Sequence, residues 1–540
     1  MIPFISLGYD RGLFYYLCCA SGQVVDLRAD QHVEGHLIAI APRQWWEEEY
    51  RTKQGPNWKA AQNAMIQKSY TVGLYRPDRL RGRGAWWSSR GSVLHLGDRL
   101  IVNGREWPLS AATEHIYEAA VPISVNYKNP LSISDAKKFV KICDMLPWDR
   151  PIYARYLAGW CAIAPICGAL DWRPHIWVTG GSGSGKSTVI DRIVRRVVGD
   201  IGLSFQSSTT EAGLRQSLKH DALPVTFDEI DGSGQRAQDR IQNVLELSRA
   251  ATTEGGANIV KGSSVGNAVT YKIRSCFAFS SIGVFATSRP DETRITVLGL
   301  TADGNKERFR SLSAMITDTL SDEYVHRFTA RSIKMIPVIR SNYRIFSDAA
   351  TGTVGDRRAG DQIGALLAGA YSLRSDNVIT SSDAEAFIGR QDWSESKIAR
   401  EETDEVKLFA FLQQVVVRTP SVGGPVDRSI ADLMMIASGR QDATANERTY
   451  AIATLGLYGM RGDADCMRIS LTHSAVTKLL RGTEWEKTWS RTICRLPGTK
   501  RSPGGVRFGS VKNRAVEIPY PDDVAEAQLP ELAEQVEVPY

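Results

Sequence analysis

The chain has 540 residues, 43% hydrophobic and 23% charged, with a formal net charge of +6. That length is too great for one core and predicts three or four domains of an ordinary soluble globular protein rather than a disordered or fibrous chain. The charge is too modest for the length to identify a polyanionic partner, so its distribution has to. The eight cysteines form no C-x-x-C pair and no zinc-spaced Cys/His cluster, and are expected as reduced thiols in a cytoplasm. The most apolar stretch, Tyr156 to Leu170, falls short of the roughly 20 residues that cross a bilayer. It reads as a buried helix ending near Pro165, and no membrane partner is expected.

Residues 1–125 read as a β-rich domain. Two strands flank a Ser-Gly turn in GLFYYLCCASGQVVDL, and a second hairpin set follows in GAWWSSRGSVLHLGDRLIVNG, with a helix from Trp58 to Lys68 between them. Trp45, Trp46, Trp86 and Trp87 lie near Arg79, Arg81 and Arg83 in sequence, a mixture that either stacks on bases or packs a small β core. Residues 126–174 read as a helical linker or collar, with Ser132 or Ser134 capping SISDAKKFVKICDML.

Residues 175–304 alternate strands with helices, the pattern of a parallel sheet covered by helices. HIWVTG is a strand, and Ser187 to Val198 a helix. GLSFQS is a second strand, followed by a helix with a Ser208–Glu211 capping box. LPVTFDE, RSCFAFSS and RITVLGL are further strands, and Asn258 to Ile273 reads as a hairpin. Residues 305–400 read as a helical lid, 401–518 as helices with a basic hairpin, and 519–540 as an acidic, disordered tail.

Between the first strand and its helix stands GGSGSGKS, Gly180 to Ser187, the G-x-x-x-x-G-K-S pattern in the strand–loop–helix setting that a phosphate cradle requires. Gly180, Gly181, Ser182, Gly183, Ser184 and Gly185 let backbone N–H groups turn around an anion, and the helix N-terminus adds partial positive charge. Lys186 is placed to neutralise the β- and γ-phosphates of ATP, and Ser187, followed by Thr188, to put a hydroxyl on Mg²⁺. Asp228 and Glu229 end an apolar strand at the edge where open α/β sheets bind ligands. Asp228 reads as the second Mg²⁺ ligand and Glu229 as the group that polarises the attacking water. Ser280 or Ser281, ending an inner strand, reads as a γ-phosphate sensor. Arg289 or Arg294 reads as an arginine acting on a neighbouring subunit's nucleotide. Arg357 and Arg358 are candidates for a contact from the lid.

This ordered set resembles the helicase half of phage and plasmid primase-helicases, AAA+ ATPases similar to superfamily-3 helicases, over roughly residues 150–400. The resemblance implies a P-loop, AAA+-like α/β core, ATP hydrolysis at the interfaces of a homo-oligomeric ring, often a hexamer, and movement along single-stranded or forked DNA in replication. It further implies that the hairpin carries a basic residue, Lys261 or Lys272, into a central pore. The sensor position departs from that family in being Ser rather than Asn, and no primase signature is present, which implies a separate primase among the partners.

From Lys478 to Arg514 there are ten Lys or Arg and two Glu. Helices followed by this basic run resemble a winged-helix module, with Lys500, Arg501, Arg507, Lys512 and Arg514 as phosphate contacts. The leading reading is an ATP-dependent DNA helicase or translocase. The alternatives are an ATP-gated replication initiator or helicase loader, and a small-molecule P-loop kinase, which would need neither Glu229 nor DNA.

Overall fold

The computed structural model describes residues 3–109, 114–228, 234–253, 259–262, 268–284, 291, 293–302, 304–393, 403–483 and 485–520. Two compact units divide the chain, Met1–Asp392 and Trp393–Tyr540.

The first unit opens with an antiparallel sheet of Phe4–Asp10, Leu13–Cys18 and Val24–Arg28, and continues with a four-stranded meander from Gly84–Ser88 to Arg105–Pro108. Asn103 and Gly104, both at positive φ, make the tight turn that suits strand twist. The expected helix runs from Trp58 to Val72, and two shorter ones, Glu34–Ile40 and Arg43–Glu49, precede it. The tryptophan–arginine set is packing: Trp46 and Trp86 are buried, and the Arg81 guanidinium sits 5.0 Å from the Trp86 ring.

The centre of this unit is a parallel sheet of five strands. These are β1 (His175–Gly180), β2 (Leu203–Gln206), β3 (Val225–Asp228), β4 (Phe277–Ser281) and β5 (Ile295–Leu300), in the order β2-β3-β4-β1-β5. The inner strands are almost wholly buried because helices cover both faces. On one face Trp177, Phe227, Phe277 and Phe279 pack against Val244 and Leu245 of the helix Gln235–Ala251. The helix after β2 starts two residues later than the capping-box pattern suggests. Thr210, not Ser208, is its cap, and the Thr210 hydroxyl accepts from Gly213 N at 3.2 Å.

The apolar stretch is indeed a buried helix, Ile152–Ile163, continued as a tight turn over Ala164–Ala169. It packs on Arg357–Ser372 so closely that a Cβ at Gly159 would overlap the Leu366 carbonyl oxygen. The collar and the helices of the expected lid are therefore one packed body. Ser132 caps the collar helix Ile133–Asp144. Among the described residues no helix is long and apolar enough to cross a membrane.

In the second unit the helices Asp404–Gln414, Ile430–Ser438 and Ala445–Leu457 pack on an antiparallel sheet of Met460–Gly462, Cys466–Ser470, Ala515–Pro519 and Lys500–Arg501. The basic run is not one long hairpin. Pro503 has no N–H to donate and Gly504–Gly505 loosen the chain. The strand therefore stops at Arg501, and a separate small hairpin forms from Val506–Phe508 and Val511–Asn513.

Five of the eight histidines, His32, His95, His115, His175 and His220, have pKa values lowered chiefly by burial, His175 to about 3 and His115 to about 4. Such groups stay neutral in the fold but protonate near pH 6.5 when unfolded. Their contribution is present above about pH 6.5 and is lost as pH falls toward the folded values. The thermal midpoint is expected to drop as pH goes from about 7 to about 5, before most carboxylates titrate; a flat profile over that window would contradict it.

Candidate functional site

β1 leaves the sheet at Gly180 and enters the glycine loop. Gly180, Gly183 and Gly185 take φ values of 155°, 77° and 99°, which side chains with a Cβ resist. A Cβ on Gly180 would stand 2.6 Å from both the Leu300 carbonyl and the Ser184 hydroxyl, whereas Gly181 faces open space. Ser184 is buried, and its hydroxyl has no partner among the described residues. Ser182 and Ser187 are exposed and Thr188 is half-buried. Lys186 Nζ donates to the carbonyls of Gly180 at 2.8 Å and Gly181 at 2.9 Å, so its ammonium lies within the loop. The following helix is not regular: Thr188–Val194 has the wider π-helical winding before Arg195–Val198 resumes as α. Such widened turns concentrate at functional sites, and periodicity does not reveal them.

Asp228 ends β3 at the same edge of the sheet. One strand, β4, separates it from β1, so the two strand ends lie about 10 Å apart. That gap is wide enough for a phosphate and its counter-ion. Asp228 Oδ2 is 3.5 Å from Arg195 Nη1, which also pairs with Asp191. Arg195 thus ties the helix after the loop to the acidic strand. Sequence reasoning missed it, although its spacing four residues after Asp191 was the available signal. Glu229, with Asp231, lies outside the described residues. The Ser281 hydroxyl accepts from Trp177 Nε1 at 2.8 Å and donates to the Gly283 carbonyl. Ser280 is buried beside it.

The donor chemistry fits Mg²⁺. An exposed Ser187 hydroxyl and the Asp228 carboxylate are hard oxygen ligands, and no group of three His, Cys, Asp or Glu among the described residues forms a separate cage. An ion held by one or two protein oxygens takes its remaining ligands from phosphates and water.

A hollow of about 60 Å³ adjoins the loop, walled by Met145, Pro147, Gly183, Thr188, Arg308 and Phe309. Arg308 fixes one wall by donating to the carbonyls of Met145 at 2.8 Å and Leu146 at 3.0 Å. Phe309 presents its ring 52% exposed. Nothing in the sequence marks these residues, because the collar and the helix Lys306–Thr319 meet only in the fold.

Arg294 stands at the other edge of the sheet. It precedes β5, whose first residue pairs with His175 at the start of β1, about 20 Å of strand from Gly180. Its pKa is lowered by burial and by Arg358 and Arg249, so those three guanidiniums are neighbours. Asp291 is fully buried among them and pairs with Arg249. Arg358 therefore sits with Arg294 and not beside its own chain's loop, while Arg357 pairs with Asp348 at 2.6 Å. Arg289 lies outside the described residues.

The hairpin is present as Ile259–Gly262 paired antiparallel with Ala268–Tyr271, with Lys261 opposite Val269; its tip, 263–267, lies outside the described residues. Lys272 falls just past the return strand and lines a separate cavity with Arg274. In the second unit Lys500, Arg501, Arg507, Lys512 and Arg514 are all exposed, and Arg507 is directly opposite Lys512.

The loop geometry separates two adjacent glycines. Gly180→Ala is expected to destabilise the fold by about 1–3 kcal/mol through overpacking. Gly181→Ala, with open space around it, should stay within about 0.5 kcal/mol of the parent. Denaturant unfolding of both variants checks this; equal effects would mean that the loop is not held in this conformation.

No protein-family model matches the chain, and no curated protein matches it. Among solved structures, the apo C-terminal region of NrS-1 aligns over 96% of this chain and 96% of its own at 12% identity, with a TM-score of 0.33. Its A form aligns over 96% and 97% at 11% identity, with a TM-score of 0.34. A full-length MCM homolog from Methanopyrus kandleri aligns over 57% of this chain and 74% of its own at 12% identity, with a TM-score of 0.29. At TM-scores this low the likeness carries no part of the functional reading.

Proposed function

We propose that the chain is an ATP-dependent DNA helicase or translocase with an AAA+-like core, working as a homo-oligomeric ring, hexameric in number, in phage or plasmid DNA replication. The observation that carries it is the shared sheet edge: the lysine-bearing glycine loop on β1 and Asp228 on β3, with the end of β4 between them.

On this reading Lys186 leaves the Gly180 and Gly181 carbonyls for the β- and γ-phosphates when ATP arrives. Ser187 and Asp228 would hold a Mg²⁺, which when bound would supply Lewis-acid stabilisation of phosphate charge. Glu229, next along the chain, aligns and polarises water, and Ser281 marks the strand end nearest the γ-phosphate. Phe309 borders the nucleoside side. Arg294 is too far from its own loop to act there, which suits action on a neighbour's nucleotide, and Arg289 is the second candidate for that role. Lys261 grips DNA in the ring's pore. The exposed basic cluster of a winged-helix-like second unit holds DNA outside the motor, and a separate primase supplies primers.

ATP hydrolysis by the full chain should rise on adding single-stranded DNA, and a forked duplex should be unwound. Lys186→Ala should remove hydrolysis, while Glu229→Gln should still bind ATP and turn over at least about a hundredfold more slowly. Hydrolysis without strand displacement or tracking would replace the helicase with an initiator or loader, and hydrolysis indifferent to DNA would remove both.

Replacing Lys500, Arg501 and Arg507 together with alanine should weaken single-stranded DNA binding and flatten its salt dependence by about 2 in the log–log slope, at roughly 0.7 per phosphate contact. Unwinding at saturating DNA should survive. An unchanged slope would take these residues out of the interface.

A further inference from the structure

The hollow beside the glycine loop is bordered by Gly183, Gly185 and Thr188 of the loop and its helix, by Met145 and Pro147 of the collar, and by Phe309 of the helix Lys306–Thr319. A nucleotide with its phosphates in the loop would bring its base here. What the wall can offer that base depends on which of its hydrogen-bonding groups are already in use.

Along the collar nearly all of them are. Met145 N donates to the Lys141 and Ile142 carbonyls at 3.1 and 3.2 Å, Leu146 N donates to the Cys143 carbonyl, and Pro147 has no N–H. No backbone N–H of these three residues is left for a ring nitrogen of a base. The carbonyls are used as well. Leu146 O accepts from Trp148 N at 2.9 Å and from Arg308 Nη2 at 3.0 Å, and Pro147 O accepts from Thr301 N at 2.8 Å and from the Thr301 hydroxyl at 3.0 Å. Met145 O accepts from Arg308 Nε at 2.8 Å and keeps a second lone pair. That lone pair can take a proton from the amino group of adenine or from the N–H edge of guanine, so it does not choose between them.

The side chains add little that tells one base from another. Arg308 is committed to the two collar carbonyls. The Asn305 side-chain oxygen accepts from Glu307 N at 3.1 Å and from Arg308 N at 3.0 Å, capping its helix. Ser184 and Thr188 carry hydroxyls, and a hydroxyl both donates and accepts, so it meets adenine and guanine alike. The remaining surface is apolar: Phe309 is half exposed, Met145 and Pro147 are half-buried, and Leu312 is buried beneath them. An open aromatic ring stacks on any base, because every base has a π-face.

We propose that this hollow is a nucleobase site that does not read the edge of the base. It takes the base of a purine or pyrimidine nucleoside di- or triphosphate by stacking on Phe309, and the glycine loop alone demands the phosphates. A site that reads a base through its own hydrogen bonds rejects an analogue lacking the matching group by about 10⁴–10⁵, whereas an apolar pocket separates near-isosteres by only about 10–200-fold. The chain is then fuelled by GTP as readily as by ATP. This rests on the reading of the glycine loop as a phosphate cradle, and not on the DNA or the ring.

The full chain is titrated calorimetrically with ADP, GDP, CDP, UDP and inorganic tripolyphosphate. ADP and GDP, which present the same ring area but opposite hydrogen-bonding edges, should bind within about tenfold of each other, with CDP and UDP weaker as their stacking surface is smaller. Phe309→Ala should weaken ADP and GDP by about tenfold or more and leave tripolyphosphate unchanged, and Phe309→Tyr should restore both nucleotides. Phe309 is half exposed, so the alanine variant keeps the core intact, and the parent series needs no variant at all. A difference greater than about tenfold between ADP and GDP overturns the base site. So does undiminished ADP affinity in folded Phe309→Ala. In either case tripolyphosphate binding that is lost in Lys186→Ala leaves the cradle standing. If neither tripolyphosphate nor any nucleotide binds, the cradle falls and the base site with it.

Discussion

The whole arrangement depends on all five central strands running the same way. In a parallel sheet every strand delivers its C-terminal end to one edge, and each return must cross over the faces through a helix or a long segment. Here that single constraint collects the glycine loop, Asp228 and the Ser280–Ser281 pair on one edge and sends Arg294, with His175 at the start of β1, to the other. Chemistry that needs a cation, a carboxylate and polar strand ends within reach of one ligand is therefore a consequence of strand direction before it is a matter of individual side chains.

β1 has to be held firmly for this to work, because its end sets the loop. Its anchor is buried and polar. His175 Nε2 is 2.7 Å from the Ser248 carbonyl, and its Nδ1 accepts from Phe277 N at 3.1 Å, so one ring ties β1 to the helix Gln235–Ala251 and to the start of β4. Both contacts together require the neutral tautomer with the proton on Nε2. Burial, reinforced by Arg173 and Arg294, keeps the ring neutral, even though hydrogen bonding to the Ser248 carbonyl works the other way. Gln362, on the helix Arg357–Ser372, donates to the His175 carbonyl at 2.8 Å and binds the helical body to the same point.

Local signals in the sequence revealed what is local in the fold. Each central strand, the hairpin and the Ser132 cap were legible, because an apolar run, a turn signal or a capping hydroxyl is decided within a dozen residues. At Thr210 the same logic erred by two residues, since Ser208 and Thr210 both offer a hydroxyl and only the path of the chain chooses between them. The order of the strands was not legible: that β4 inserts between β1 and β3 depends on pairings distant in sequence. Arg195 beside Asp228 and Arg308 bracing the collar were missed for the same reason, each being a surface cation in one dimension.

The two sheet edges carry opposite chemical demands, and this bears on assembly. One edge presents a loop shaped to receive a polyanion. The other brings Arg249, Arg294 and Arg358 close to the buried carboxylate of Asp291, with Glu246 also 3.7 Å from Arg249. Within one chain the two edges cannot meet, because about 20 Å of strand lies between them. Between chains they can, if the arginine edge of one faces the cradle edge of the next. Such a contact uses two different surfaces, so it repeats head to tail and closes into a ring wherever the rotation permits. A phosphate held at that interface would offset the crowding of the arginines as well as the charge of Lys186. Nucleotide and ring would then stabilise each other.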